Sequence, residues 1–342
     1  MPIDTVEQAL HIRRKKNAQV FRNIARLWDI GQKSHSDQDL LDALHPWRDD
    51  HSLCFFNVLP FILGIVSVCT LVFGYFFHPH IQFIWSFLGA FLTGFLAYLL
   101  YEPKEPLTQV ITYLEQRMTV LRYGLQFQQL PAYLPIQAQP LLVISRLKQF
   151  FPLFNRGTES NEITQYASTT WHDGTTEHQV LLFQYHYVSE LPIFQEENSN
   201  QKIAKEIHKD LWGAFIFQMP ASGIAVSNKR SRFFEPYTSS WQSSDILINQ
   251  ELNIFGVDQH QLAKEISPSL TLKLHDFFQH FTGDLIYHHE EQILYYLGEQ
   301  NLFQTASKRS EIHDISALRG HLRTMTMPQY QKFQQLMLNL IS

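Results

Sequence analysis

LCFFNVLPFILGIVSVCTLVFGYFFHPHIQFIWSFLGAFLTGFLAYLLY, residues 53–101, carries no Asp, Glu, Lys or Arg, and none occurs anywhere between Asp50 and Glu102. A helix or loop that faces water keeps charge on its exposed side, so an uncharged run of this length points to lipid. A spanning helix needs roughly 20 apolar residues to cross about 30 Å of hydrocarbon. Residues 53–77 supply one span and 83–101 a second, with His78-Pro79-His80-Ile81-Gln82 between them. That proline ends a helix, and its polar neighbours suit a turn in water. Backbone groups in lipid must pair internally, so two helices are expected. The competing reading, a hairpin buried in a large soluble core, would call for a polar stripe, and neither segment has one.

Working outward, small residues mark where the two helices should meet. Ser86, Ala90 and Gly94 fall every fourth residue, and Gly64, Ser67, Thr70 and Gly74 recur at intervals of three or four. Such seams let helix backbones approach closely where hydrophobicity gives no contrast with lipid, and they serve a hairpin or a dimer equally well. Trp85, Tyr75, Tyr98 and Tyr101 lie near the span ends, as interface aromatics do. Before the first span stand Arg13, Arg14, Lys15, Lys16, Arg22, Arg26, Lys33 and Arg48, and after the second come Lys104, Arg117 and Arg122, whereas the turn has no Lys or Arg. The positive-inside rule therefore puts both termini in the cytoplasm, in a multi-pass membrane protein.

Charge outside the hairpin bounds the partners. The net charge is −5; residues before the hairpin hold 8 basic and 8 acidic side chains, and those after it 19 and 24. A nucleic-acid binder would show a basic surplus, so none is expected as a partner. Cys54 and Cys69 both fall within the first span. They cannot form a disulfide framework, and a thiol nucleophile is not expected in the soluble part. The hairpin starts too far into the chain for a cleavable signal peptide, and no transit peptide or lipidation motif stands out.

The chain divides into an N-terminal cytoplasmic helical segment (1–52), the transmembrane hairpin (53–101), a membrane-proximal amphipathic helix (102–135) and a cytoplasmic α+β domain (136–342). Residues 4–32 read as a helix with Val6, Leu10, Phe21, Ile24 and Trp28 on one face and Gly31 as its stop. Arg13 to Lys16 would rest on anionic headgroups or face water. A second helix should start at Ser36, with Asp39 completing a capping box, and end before Pro46. Leu107, Val110, Ile111, Leu114, Met118, Leu121 and Leu125 recur at helical spacing, which predicts a helix to about Leu130. Ile163–Trp171 and Glu177–Val188 flank Asp173-Gly174, a hairpin signal. Residues 196–210 read as a loop leading into a short helix, 211–219 and 223–227 as strands, and 246–257 as a strand or a pair of strands with a turn near Asn253. Two helices follow over 258–281, the second capped by Ser267 before Pro268. A hairpin over 285–297 and a helix over 328–340 complete the chain. Strands joined by tight turns with helices inserted make this a mainly antiparallel sheet.

Trp212-Gly213-Ala214-Phe215-Ile216-Phe217, then Leu252 to Gln259, Ala263, Ile266 and Ser267-Pro268, carry a resemblance. The chain resembles an uncharacterised bacterial family of double-spanning membrane proteins with a conserved cytoplasmic domain of unknown function. In that family a strand ending Phe-x-Val-x-x-x-Asp leads into a helix with an Ala and a Ser/Thr-Pro step. Phe255, Val257, Ala263 and Pro268 take those places, although the acid follows the valine at once, as Asp258. The resemblance covers roughly residues 50–300. It implies architecture and a bacterial inner membrane, and it brings no catalytic residues.

Motifs for chemistry are sparse. His288-His289-Glu290-Glu291 lacks the His-Glu-x-x-His spacing of a zinc helix, and His275 and His280 are five apart rather than four, so no metal site and no cofactor are expected. Ser145-Arg146-Leu147-Lys148 matches Ser-x-x-Lys without its companion motifs. His172, Asp173 and His178 flank the predicted hairpin turn and are the candidates for a hydrolase-like site, against the plainer reading of exposed polar residues. Lys229, Arg230 and Arg232 with Phe233 form a basic-aromatic cluster and are the candidate binding residues, against that of a solvated loop. The reading favoured is a non-enzymatic, membrane-anchored binding or scaffolding module with the lipid bilayer and a protein, or a second copy of itself, as partners. The alternatives are an enzyme with a non-motif site and an assembly or envelope-stress factor acting through the hairpin.

Overall fold

A computed structural model describes residues 15–45, 51–76, 83–130, 147–148, 151–174, 176–191, 205–307 and 311–342. The chain forms two units, Met1–Arg122 with Ser307–Met325 and Tyr123–Ala306 with Thr326–Ser342.

In the first unit, α1 (Lys15–Lys33) buries Val20, Ile24, Leu27 and Ile30 on one stripe. Residues 4–14 of the expected helix lie outside the described residues. Gly31 does not stop the helix: it is buried, and a Cβ there would press on Tyr113. The stretch α2 (Asp37–Ala43) begins with the expected capping box, Ser36 Oγ accepting from Asp39 N–H and Asp39 accepting from Ser36 N–H. The apolar run yields α3 (Val58–Phe76) and α4 (Phe83–Leu100), both long and apolar enough to cross a membrane. The first begins at Val58, not at Leu53. Residues 51–54 are drawn out of the helix by backbone pairing, Leu53 N–H donating to His313 O at 2.9 Å and Ile315 N–H to His51 O at 3.0 Å. The turn expected over 78–82 lies outside the described residues.

The helix that follows, α5 (Glu105–Tyr123), ends at Gly124 with φ +64°, short of the expected Leu130, because glycine reverses the chain at low cost there. A helix near the end of the chain, α9 in chain order (Ile315–Thr324), returns to this unit. Its Ile315, Leu318 and Leu322 join Leu27, Val110 and Leu114 in one apolar core. The 136–342 boundary expected from the sequence groups this segment with the sheet, whereas its apolar face packs in the first unit. Arg319 Nε donates to Leu41 O at 2.8 Å and Arg117 Nη2 to Ser34 O at 2.9 Å, so cations satisfy carbonyls at the ends of α2 and α1.

Among the described residues the second unit is built on a nine-stranded antiparallel sheet: β1 (Gln126–Phe127), β2 (Ser160–His172), β3 (Glu177–Leu191), β4 (Lys205–Phe217), β5 (Ile224–Ser227), β6 (Ser239–Trp241), β7 (Asn253–Gly256), β8 (Gly283–Tyr287) and β9 (Ile293–Gly298). Their order is β1-β2-β3-β4-β9-β8-β5-β7-β6. The Asp173-Gly174 hairpin forms as expected, Gly174 at φ +96°. Two sequence expectations fail. Residues 205–210, read as the end of a loop and a short helix, extend β4 and pair with 186–191 of β3, since a partner strand overrides the weak local preference of a polar segment. Residues 246–251 form α6 (Ile246–Glu251), capped by Asp245, rather than a strand.

Alternation along the strands sends side chains to two apolar faces. One carries Trp171, Leu182, Ile216 and Tyr296 against α8 (Pro268–His280) and α10 (Pro328–Ile341), through Phe277 and Phe333. The other carries Phe183, Phe215 and Tyr295 against Phe151, Phe154 and Tyr237. The residues behind the resemblance are structural joints: Phe255 is buried on β7, Asp258 caps α7 (Gln259–Glu265), and Ser267 caps α8 with Pro268 in its first turn.

Where β4 crosses under the Phe183 ring, Gly213 leaves no room for a methyl group, since a Cβ would press on that ring and on the Tyr296 carbonyl. Gly213→Ala should therefore cost about 1–3 kcal/mol, read as a lower denaturation midpoint of the sheet signal in detergent.

Candidate functional site

On the second face of the sheet the apolar pattern is interrupted by charge. Asp284 of β8 stands opposite Ser227 of β5, and its side chain is 4% exposed. A lone carboxylate at such a place would be costly, and here it is surrounded. Arg156 Nη2 lies 2.7 Å from Oδ2, Arg230 Nε lies 3.4 Å from Oδ1, and Ser227 Oγ donates to Oδ1 at 2.7 Å. Ser227 Oγ also accepts the N–H groups of Lys229 and Arg230, each at 3.1 Å, which ties the following loop to the strand end. Tyr185 Oη donates to Phe154 O at 2.8 Å and accepts from Arg156 N–H at 3.3 Å. Burial pushes the Tyr185 phenol up to about 12 against the opposing pull of Arg156. The buried Tyr295 hydroxyl is pushed well up by desolvation and has no hydrogen-bond partner among the described residues, and Arg156 Nε is likewise buried and unpaired. Two guanidiniums around one carboxylate leave a positive surplus, and both arginines keep a solvent-facing part, 23% for Arg156 and 35% for Arg230.

This cluster absorbs part of the basic-aromatic loop picked out in the sequence. Lys229 pairs with Glu299, and Arg230 turns to Asp284 and lies 5.9 Å from the Phe233 ring centre. Phe233 is half-buried against Phe255 and Tyr237. Arg232 is exposed. Of the four, Arg232 is thus the side chain most open to a partner. Arg156 and Asp284 were not picked out from the sequence, although an aspartate inside the run Gly283-Asp284-Leu285-Ile286-Tyr287 was a legible signal, because a charge in a buried strand needs a reason.

The hairpin histidines are split between two environments. His178 is buried on the face that carries Trp171, its Nε2 3.3 Å from Asp173 Oδ2, with Nδ1 unpaired among the described residues. His172 is exposed and meets Glu177 at 3.6 Å. Asp173 also accepts Thr176 N–H at 2.7 Å, closing the turn. The structure therefore joins Asp173 and His178 and leaves His172 apart. Further along β3, His186 Nδ1 lies 2.9 Å from Asp210. Slight burial raises the Asp210 carboxyl, but the bonds from His186 and Gln184 outweigh it and hold the group below its ordinary range. No group of three or more His, Cys, Asp or Glu side chains among the described residues is arranged to hold a metal ion.

The small-residue seam is realised in part. Ser67 Oγ donates to Ala90 O at 2.7 Å, and a Cβ on Gly94 would stand 3.0 Å from Ser67 Oγ. Gly74 meets Ser86. Gly64 faces open space and lines an apolar groove of about 1000 Å³ between α3 and α4. At the Val58 end of that groove, Asn57 brackets the Glu102 backbone, donating to its carbonyl at 2.7 Å and accepting its N–H at 3.2 Å. Cys54, expected inside lipid, instead lies before α3 beside His313.

Arg156→Ala should destabilise the sheet unit by about 2–3 kcal/mol, less than the about 3–5 kcal/mol for breaking a fully buried pair, because Arg156 keeps some water. Combined with Asp284→Asn it should cost less than the sum of the two, measured as a double-mutant cycle in denaturant.

His288 supplies a pH dependence. It is buried, and its Nδ1 accepts the N–H groups of Glu290 and Glu291 at 3.2 and 2.9 Å. Burial, with His289 adding and Glu290 opposing, pushes it down from 6.5 to about 4. Within that window the unfolded chain binds the proton and the folded chain does not, so stability falls as pH drops from about 6.5 to about 4. His288→Asn, whose Oδ1 still accepts, should flatten thermal melts across that window.

No family model, curated protein or solved structure matches this chain.

Proposed function

We propose that the chain is a membrane protein whose α3–α4 hairpin crosses the bilayer twice and anchors a cytoplasmic binding module, the sheet unit. The observation that carries this reading is where the exposed apolar side chains lie. Among the described residues, all the large exposed ones except Leu130, Ile246, Leu247 and Leu272 fall between Phe56 and Tyr101. Phe61 is 71% exposed and Ile84 72%. A helix of a soluble core hides such groups, whereas a helix in lipid presents them. Tyr98 and Tyr101 at one end, and Tyr75 and Trp85 at the other, suit the two interfaces. Lys and Arg on the segments flanking the hairpin, against none in residues 78–82, support cytoplasmic termini, and the family resemblance supports a bacterial inner membrane.

As a binding module, the sheet unit offers the Arg156–Asp284–Arg230 cluster and the exposed Arg232. The chemistry of that surface, with guanidiniums in excess over carboxylate, suits an acidic protein segment.

Full-length protein should stay in the membrane fraction through alkaline carbonate extraction, and a version lacking residues 58–100 should be released; release of the intact chain would overturn the anchor. Arg232→Glu should abolish cross-linking of native-membrane proteins to a probe placed beside that loop. An unchanged cross-link pattern would remove the loop from the binding face.

A further inference from the structure

Three side chains of the first unit meet just before α3. Cys54 precedes Val58, the first residue of that helix, and its thiol is free and exposed. Its Sγ lies 3.5 Å from His313 Nδ1, and His313 Nε2 lies 2.9 Å from Glu311 Oε2. A carboxylate only accepts hydrogen bonds, so Glu311 keeps the imidazole proton on Nε2 and leaves the Nδ1 lone pair facing the thiol. Thiol, base and orienting carboxylate in this sequence are the arrangement that activates a nucleophile. Backbone bonds set it up, because the pairing of residues 51–53 with 313–315 holds Cys54 and His313 side by side. Cys69, the other thiol, lies on α3 in the wall of the apolar groove.

Along the chain that groove begins three residues after Cys54. Its lining begins at Asn57 and includes Phe61, Gly64, Val68, Ala97 and Tyr101. From Asn57 to Cys69 the helix rises about 18 Å, and the walls are almost wholly apolar. Nothing stands within 4 Å of where a Gly64 Cβ would be. The slot suits a long hydrocarbon chain fixed at the Cys54 end.

We propose that Cys54 accepts a long-chain acyl group from an acyl thioester, with His313 as general base, Glu311 as positioning residue and the α3–α4 groove as the seat of the acyl chain. The inference rests on the membrane reading of the hairpin. In the transfer, His313 Nδ1 takes the Sγ proton and the thiolate attacks the acyl carbonyl carbon. The bond from that carbon to the donor sulfur breaks, and His313 returns the proton to the departing thiolate. One thioester replaces another, so no oxidant or reductant is consumed. The attached chain fills the open side of the helix pair and makes its packing depend on a bond that hydrolysis can remove.

The test uses the full-length chain in phospholipid vesicles with palmitoyl-coenzyme A, acyl uptake being followed by intact-mass and peptide mass spectrometry. One hydroxylamine-labile acyl group is expected on Cys54, lost in Cys54→Ser and kept in Cys69→Ser. His313→Ala should slow uptake at least tenfold, within the range a general base contributes. Glu311→Ala should slow it while Glu311→Gln, which keeps an acceptor oxygen, restores most of the rate. Gly64→Leu should slow palmitoyl transfer at least tenfold more than acetyl transfer from acetyl-coenzyme A. Labelling of Cys69 instead, equal rates in His313→Ala, or no uptake would overturn the proposal. Carbonate extraction of Cys54→Ser separates the two readings: retention with no acyl uptake by the parent chain sinks the acylation alone, whereas release of the parent chain sinks the anchor.

Discussion

A sheet that is apolar on both faces has to be covered twice, and the second unit is shaped by that demand. Leu182 and Ile216 point one way, Leu181 and Phe215 the other, so water must be excluded on both sides of the same strands. Helices suit the first side, where α8 and α10 lay down Phe277 and Phe333. The second side is roofed by a short 3-10 turn, Pro152–Phe154, and by loop residues such as Phe233 and Tyr237, which have few repeating hydrogen bonds of their own to hold them in place. Asp284 supplies the fastening. By gathering Arg156 from the chain before β2 and Arg230 from the loop after β5, it pins aromatic side chains such as Phe154 and Phe233 onto the sheet. The buried charge thus holds the roof by geometry, which a purely apolar contact would hold less specifically.

The first unit solves a different problem. Two helices that are apolar all round have no polar stripe to set their splay. Ser67 on the Ala90 carbonyl sets one point, and the Asn57 amide on the Glu102 backbone sets another at the Val58 end. Between them the helices part far enough at Gly64 to leave a slot. Polar atoms therefore decide how an almost wholly apolar pair is arranged.

Much of this was legible in the residues. The uncharged run marked both apolar helices, the Ser36–Asp39 box marked the start of α2, and Ser267-Pro268 marked the start of α8. Each is a local signal with a local cause. The failures share the opposite character. Residues 205–210 look like loop because their strand exists only through pairing with β3. Leu53 and Cys54 look like membrane because hydropathy counts side chains and is blind to the backbone bonds that claim them for residues 313–315. The Arg156–Asp284 pair joins positions 128 apart, and Cys54 and His313 are 259 apart, so neither is visible in any window along the chain. The exception is Asp284, whose charge among apolar strand residues announced a partner without naming it.

The return of Ser307–Met325 to the first unit gives the chain an order of assembly. The hairpin and α5 leave the ribosome first, yet Val110, Leu114 and Met118 lack the Ile315, Leu318 and Leu322 surface until the whole sheet has been made. Closing that gap brings together residues more than two hundred positions apart, a slow event compared with forming any one helix. During synthesis the first unit is an unfinished structure with an exposed apolar seam, and completion of α9 is what closes it. A chain cut short inside the sheet would display that seam permanently, a built-in mark by which incomplete copies differ from finished ones.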